Sequence, residues 1–163
     1  MSGLRFSIVA LTPAFLIVAA AAAGVRMNTS VSMPQGLYVR WPSGPLVEFC
    51  PPGDGSQISM ERGYRHAGSC PDGGAPLLKP VIAGEADQVT VTDQGIVVNG
   101  RLVPKTAPLA RDSQGRVLTR YRGSGRGLWV ASGYDPRSFD SRYFGPIEVG
   151  AVNSHARPLW VFE

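Results

Sequence analysis

Histidine is almost missing: His66 and His155 are the only two among 163 residues. Hydrolysis by a histidine-based triad therefore has just two starting points. Cysteine is equally scarce, with Cys50 and Cys70 alone. A thiolate metal centre needs more ligands than these, and His66 is the single nearby addition, so neither metal nor cofactor is expected. Charge is sparse too, at 17% of residues, and the arginines are scattered rather than clustered. The net charge of +4 then suits a protein lying near anionic lipid better than one binding nucleic acid. Beyond the first apolar run there is no long amphipathic helical pattern, no repeat and no internal domain boundary. A helical domain is disfavoured.

Turn formers are what the chain has in quantity. With 20 glycines and 14 prolines, a turn-rich, mostly β, antiparallel domain is predicted. Residues 7–25 form an uncharged run of nineteen, with Arg5 before it and Arg26 after. That is long enough to span a bilayer as an N-terminal transmembrane helix. The alanine run at 19–23 offers the alternative of a signal peptide cut at an A-x-A site. Cleavage there would leave the turn around Ser32 about ten residues from a frayed terminus, a poor place for a group that must be held in position. An uncleaved anchor is preferred, its flanking charges favouring the N-terminus inside and the domain outside. The chain thus divides into a membrane anchor, 1–26, and a folded domain, 27–163, large enough for one core.

Thr29-Ser30-Val31-Ser32-Met33-Pro34-Gln35-Gly36-Leu37-Tyr38 follows the anchor. Pro34 biases Met33 toward an extended backbone, and Gly36 permits a tight turn. Ser32 is expected on a constrained corner reachable from solvent. Met33, Leu37 and Trp41 are expected to be exposed near it and to dip into the membrane interface. Strands are predicted at 37–41, 46–50, 76–83, 88–92, 96–98, 127–131 and 158–162, with Asn99-Gly100 as the strongest hairpin signal. Residues 51–76 read as an irregular excursion stapled by a Cys50–Cys70 disulfide, which implies an oxidising compartment. The polar stretch 104–126 is predicted to be a mobile loop or hairpin, and 133–147 a loop dense in polar and aromatic groups.

Lys79 is the sole charge in the apolar run Pro76-Leu77-Leu78-Lys79-Pro80-Val81-Ile82-Ala83. An edge-strand lysine with its head snorkelling to solvent is one reading. The other is chemical. Burial disfavours the charged amine, and a neutral amine can take the proton of a serine nucleophile such as Ser32. A triad would instead pair Asp112, Asp135 or Asp140 with His66 or His155. His66 sits in the stapled excursion and His155 in a near-terminal turn, neither in a recognisable site context.

These residues occur in an order that resembles signal peptidase I. Ser32-Met33-Pro34 comes first, then Leu78-Lys79 running into Ala83-Gly84-Glu85-Ala86-Asp87-Gln88-Val89. Ser138-Phe139-Asp140-Ser141-Arg142-Tyr143-Phe144-Gly145-Pro146-Ile147 comes last. The S-M-P-Q-G-L-Y spacing, the inserted cysteine pair and the short loop after Asn99-Gly100 are most similar to the conjugative-transfer branch of that family. The likeness covers nearly the whole chain. Gly133-Tyr134-Asp135-Pro136 departs from the family's G-D-N-R, so no role is transferred to Asp135.

The resemblance implies Ser32 as nucleophile and Lys79 as general base. It implies the Ser30 hydroxyl and the Ser32 backbone N–H as the oxyanion hole, with Ser138 and Asp140 orienting the lysine and Arg142 as an ion partner. It implies an antiparallel β domain of signal-peptidase or LexA-like type, fixed to the bacterial inner membrane and facing the periplasm. The implied substrate is an exported protein precursor, most closely a conjugative pilin cut after small residues during plasmid transfer, with cyclisation in some cases. A general signal peptidase is the alternative of the same class, and a non-catalytic envelope assembly factor that of another. A self-cleaving repressor is disfavoured by the anchor and the lack of a DNA-binding domain.

Overall fold

Alternating apolar residues and frequent turn formers resolve into nine strands, in a computed structural model that describes residues 18–123 and 125–162. The segment expected to be an anchor therefore lies largely outside the described residues. A helical stretch at 18–22 ends just before the first strand. Among the described residues no helix is long and apolar enough to cross a membrane.

Strand β1 (Val25–Asn28) pairs antiparallel with β2 (Gly36–Trp41) across the turn that carries Ser32. The final strand, β9 (Val152–Val161), lies between β2 and β3 (Leu46–Phe49). Next come β4 (Leu77–Ala83) and the two-residue β8 (Trp129–Val130), giving a six-stranded antiparallel sheet in the order β1-β2-β9-β3-β4-β8. A second sheet holds β5 (Val89–Thr92), β6 (Gly95–Val98) and β7 (Arg101–Leu102). Asn99 (φ 51°) and Gly100 (φ 79°) both take the left-handed backbone that a two-residue hairpin loop requires. Buried Ala83, Val91, Ile96, Trp129 and Ala131 join the two sheets.

The prediction for the last strand was too short and placed His155 in a turn. β9 runs for ten residues, and His155 lies opposite both Trp41 and Val47. Pro158, where the strand was expected to begin, lies within it. It is tolerated because the register shifts there: Pro158 faces Tyr38 and Trp160 faces Leu37, so Leu159 bulges out. Gly36 allows the same crossing, since a Cβ on it would stand 2.2 Å from the Trp160 carbonyl oxygen.

The excursion is not irregular throughout. It contains α1 (Gly53–Glu61), a helix whose Gly-Asp-Gly-Ser composition hides it from propensity. Gly55 lets α1 approach Phe144, whose Cβ would lie 2.7 Å and whose ring 3.0 Å from a Cβ at this position. Cys50 and Cys70 form the expected disulfide, Cα atoms 5.7 Å apart. Inside the closed loop the buried Arg65 donates to Ser59 Oγ at 2.7 Å, to the Ser56 carbonyl at 3.1 Å and to the Ala75 carbonyl at 3.2 Å, and pairs with Asp72. The Cys50→Ala/Cys70→Ala variant is expected to lose about 3 kcal/mol in urea unfolding, by release of loop entropy in the unfolded chain. Thiol labelling of the native protein should find no free thiol.

Within stretch 104–126 the segment around Asp112 is tethered. Asp112 accepts from Tyr64 Oη at 2.5 Å, from Arg116 Nε at 2.7 Å and from the Gln114 N–H at 2.9 Å, joining this loop to the stapled one. Within 133–147, the one-turn helix α2 (Ser141–Phe144) is capped by the Asp140 carboxylate.

Candidate active site

The turn between β1 and β2 is cross-braced by a side chain that sequence reading missed. Asn28 Nδ2 donates to the carbonyls of Ser30 (3.0 Å), Met33 (3.3 Å) and Pro34 (3.1 Å), while its Oδ1 accepts from the Ser30 N–H at 3.2 Å. Tyr38 Oη adds a bond to the Pro34 carbonyl at 2.7 Å. Within this frame Ser30 Oγ lies 2.8 Å from Ser32 Oγ and accepts from the Ser32 N–H at 3.2 Å. Ser32 is less open than expected, 8% exposed, and looks into a cleft rather than out to bulk solvent. Met33 also departs from expectation. It is 4% exposed and packs on Tyr38, Leu46 and Ala156, because the turn folds over Tyr38.

Lys79 does not snorkel. It is 3% exposed, in the middle of β4 and opposite Val47 of β3. Its Nζ donates to Ser138 Oγ at 2.9 Å. Burial brings its pKa down to about 8, helped by the Arg142 charge and opposed by Asp140 and Asp135. The amine is thus poised to be neutral over an accessible pH range. No hydrogen bond joins Ser32 Oγ to Lys79 Nζ; both line one cleft of about 920 Å³, together with Ser30 and Ser138.

Behind the lysine lies a buried ion pair. Asp140 and Arg142 have fully buried side chains and meet through two 2.8 Å bonds, Arg142 Nε to Oδ1 and Nη2 to Oδ2. The guanidinium also donates to the carbonyls of Ser138 (3.0 Å), Pro136 (3.2 Å), Ala107 (3.3 Å) and Ser132 (3.3 Å). Asp140 does not touch Lys79 through a hydrogen bond; it acts on it through charge and through the backbone around Ser138. Ser132 was missed altogether. Its hydroxyl donates to the Ser32 carbonyl, tying the turn to this network.

Asp135, given no role from sequence, is buried on the cleft wall and held by Arg137 through bonds of 3.1 and 2.8 Å. Those bonds depress its pKa, so it stays a carboxylate within the field of Lys79. His66 also lines the cleft, whereas His155 Nδ1 is engaged with the Gly44 carbonyl 2.9 Å away. Neither histidine is hydrogen-bonded to Ser32 or to an aspartate, so the structure assembles no triad. Among the described residues no cluster of three metal-ligating side chains occurs.

Comparisons with known proteins show the family of the chain. The family described as signal peptidase, peptidase S26, matches residues 4–160. A plasmid transfer protein TraF of Escherichia coli is 41% identical over 150 residues, which are 85% of this chain and 83% of that protein. The conjugal transfer protein TraF of Agrobacterium fabrum is 36% identical over 149 residues, covering 86% of this chain and 84% of its own. A probable conjugal transfer protein TraF of Sinorhizobium fredii is 40% identical over 150 residues, covering 85% and 78%. No solved structure matches the chain. With its family match running almost end to end and relatives of this identity covered over most of their length, the chain belongs to the signal peptidase family, peptidase S26, alongside the TraF proteins.

Proposed function

We propose that the chain is a membrane-anchored serine endopeptidase of signal-peptidase type, in which Ser32 is the nucleophile and Lys79 the general base. The observation that carries this reading is a lysine 3% exposed, with its pKa lowered to about 8, on the same cleft as a serine braced by a second serine. Rotation of the Ser32 hydroxyl away from Ser30 hands its proton to neutral Lys79 as Oγ attacks the scissile carbonyl. As the Ser30 hydroxyl turns from Ser32 to the developing oxyanion it frees the Ser32 N–H to donate there too, each donor worth roughly 2.7–4 kcal/mol. Lys79 returns the proton to the leaving amine, and a water or an amine releases the acyl group. Ser138 orients the lysine, and Asp140 with Arg142 holds Ser138.

The substrate in this reading is an exported precursor, a conjugative pilin in keeping with the names of the relatives. Attack on the acyl-enzyme by the precursor's own α-amine, rather than by water, would form a new peptide bond, free the Ser32 hydroxyl and cyclise the product. The residues before β1 serve as the anchor, two residues short of the 1–26 read from sequence because Val25 and Arg26 already pair with β2, and the domain that follows lies in the periplasm. Membrane apposition is supported by a row of apolar side chains across three strands. Met27, Leu37 and Trp160 stand opposite one another on β1, β2 and β9, and Met27 and Trp160 are each 64% exposed. The Phe162 ring meets Trp160 edge-on at 5.3 Å. Exposed aromatics of this kind are favoured at the bilayer interface.

Ser32→Ala is expected to leave the pilin precursor unprocessed in cells that carry it, while His66→Ala and His155→Ala process it normally. Immunoblotting of the precursor reads all three. Processing by Ser32→Ala, or its loss in both histidine variants, would overturn the Ser/Lys reading.

A further inference from the structure

Every polar group of Ser132 is engaged, and the residue is wholly buried. Its N–H donates to Asp140 Oδ2 at 3.1 Å, and its carbonyl accepts from Arg142 Nη2 at 3.3 Å. Its Oγ accepts from the Tyr134 N–H at 3.1 Å and contacts the Ser32 carbonyl oxygen. The direction of that last bond is forced, because an amide N–H only donates and a carbonyl only accepts. The Ser132 proton therefore points at Ser32.

We infer that Ser132 is a positioning residue for the nucleophile, its hydroxyl fixing the Ser32 peptide so that the Ser32 N–H and Oγ keep their directions. Ser32 is then held at both ends. Its N–H is bound to Ser30 Oγ from within the turn, and its carbonyl to a group 100 residues further along the chain. Two fixed peptide planes leave the backbone between them little freedom, and that backbone sets the Cβ vector. The Arg142 Nη2 that donates to the Ser132 carbonyl also donates to the Ser138 carbonyl at 3.0 Å, and Ser138 Oγ accepts from Lys79 Nζ at 2.9 Å. One buried ion pair thus sets the position of nucleophile and base relative to each other.

The inference rests on the Ser/Lys reading, and the test separates the two. Purified full-length chain in detergent or vesicles is assayed on a precursor that the wild type cleaves. Ser132→Ala should fold, with an intact disulfide, and lose about tenfold to a hundredfold in kcat, as small misplacements of reacting groups do. KM should stay within about twofold, because substrate binding does not involve this buried hydroxyl. The rise of activity with pH should keep its midpoint, since the partner of Lys79 is untouched. Combined with Ser30→Ala, the loss should fall short of the product of the two single losses, because both act on one residue. Should the alanine variant not fold, Ser132→Cys, with a weaker donor, should show the same pattern with about a tenfold loss. Unchanged kcat in a folded variant, a displaced pH midpoint, or fully multiplicative losses would each overturn the inference. Cleavage by Ser32→Ala in the same assay sinks the Ser/Lys reading itself. An inactive Ser32→Ala beside a fully active Ser132→Ala sinks only the role of Ser132.

Discussion

Lys79→Met is expected to be inactive and yet more stable than the native chain near pH 7. Loss of the proposed base should lower kcat by at least about a thousandfold. The gain in stability comes from the burial that makes the lysine useful. Its pKa falls from 10.5 to about 8 on folding, which corresponds to at most about 3 kcal/mol spent holding a proton in the folded state. The sign follows from proton counts. Between about 8 and 10.5 the unfolded chain binds the proton and the folded chain does not, so native stability rises with pH across that window. Below about 8 the penalty is present in full. The advantage of methionine, measured by urea unfolding, should therefore be largest at neutral pH and vanish above about 10.5. Lys79→Arg should be just as inactive, since a guanidinium does not deprotonate, and less stable for keeping its charge buried. In the native chain kcat/KM should climb with pH through about 8, the direction expected of a base that works as the neutral amine. Activity in Lys79→Arg, or a flat pH profile from 6 to 10, would sink the role given to this lysine.

Asp140→Ala should cost about 3–5 kcal/mol in the same unfolding assay and remove most activity. The side chains of Asp140 and Arg142 are both fully buried, so deleting the carboxylate strands a guanidinium without a counter-charge. It also removes the cap of α2 and the acceptor for the Ser132 N–H. The carbonyls of Ser132, Ser138, Pro136 and Ala107 remain as partners for Arg142, but they supply dipoles and not charge. Arg40–Glu48 makes a useful contrast. That pair is 3.4 Å apart with the arginine half exposed, and Glu48→Gln should cost less than about 1 kcal/mol. Equal costs for the two substitutions would contradict the weight placed on burial here.

Much of the fold could be read from local pattern. Alternation at 88–92 and the Asn99-Gly100 pair became β5, β6 and their hairpin to β7, because pairing of near neighbours is governed by side-chain period and turn chemistry. The cysteine spacing anticipated the disulfide for a similar reason, as two thiols in one loop have few other partners. Helix α1 was not legible. Its glycines, aspartate and serines have low helix propensity, and its support comes from Arg65, the disulfide and the Phe144 ring. Met33 was misjudged because exposure depends on which way the turn folds over Tyr38, and chain order carries no such direction.

Ser32 and Lys79 were legible as a candidate nucleophile and base from residue type and surroundings, whereas the roles proposed for Ser30, Ser138, Asp140 and Arg142 came from the resemblance to signal peptidase I. Sequence alone determined that a serine on a Pro-restricted turn and a lone lysine in an apolar strand were available, with scarce histidine to compete. The tertiary structure decided that Lys79 is buried rather than snorkelling, that β9 enters between β2 and β3, and that Ser132 reaches the Ser32 carbonyl. Each of these depends on contacts between segments tens to hundreds of residues apart, as with the 100-residue span from Ser32 to Ser132. Local propensity and periodicity act over a few residues, whereas desolvation and hydrogen-bond partnership are properties of the packed interior and exist only once the chain has closed on itself.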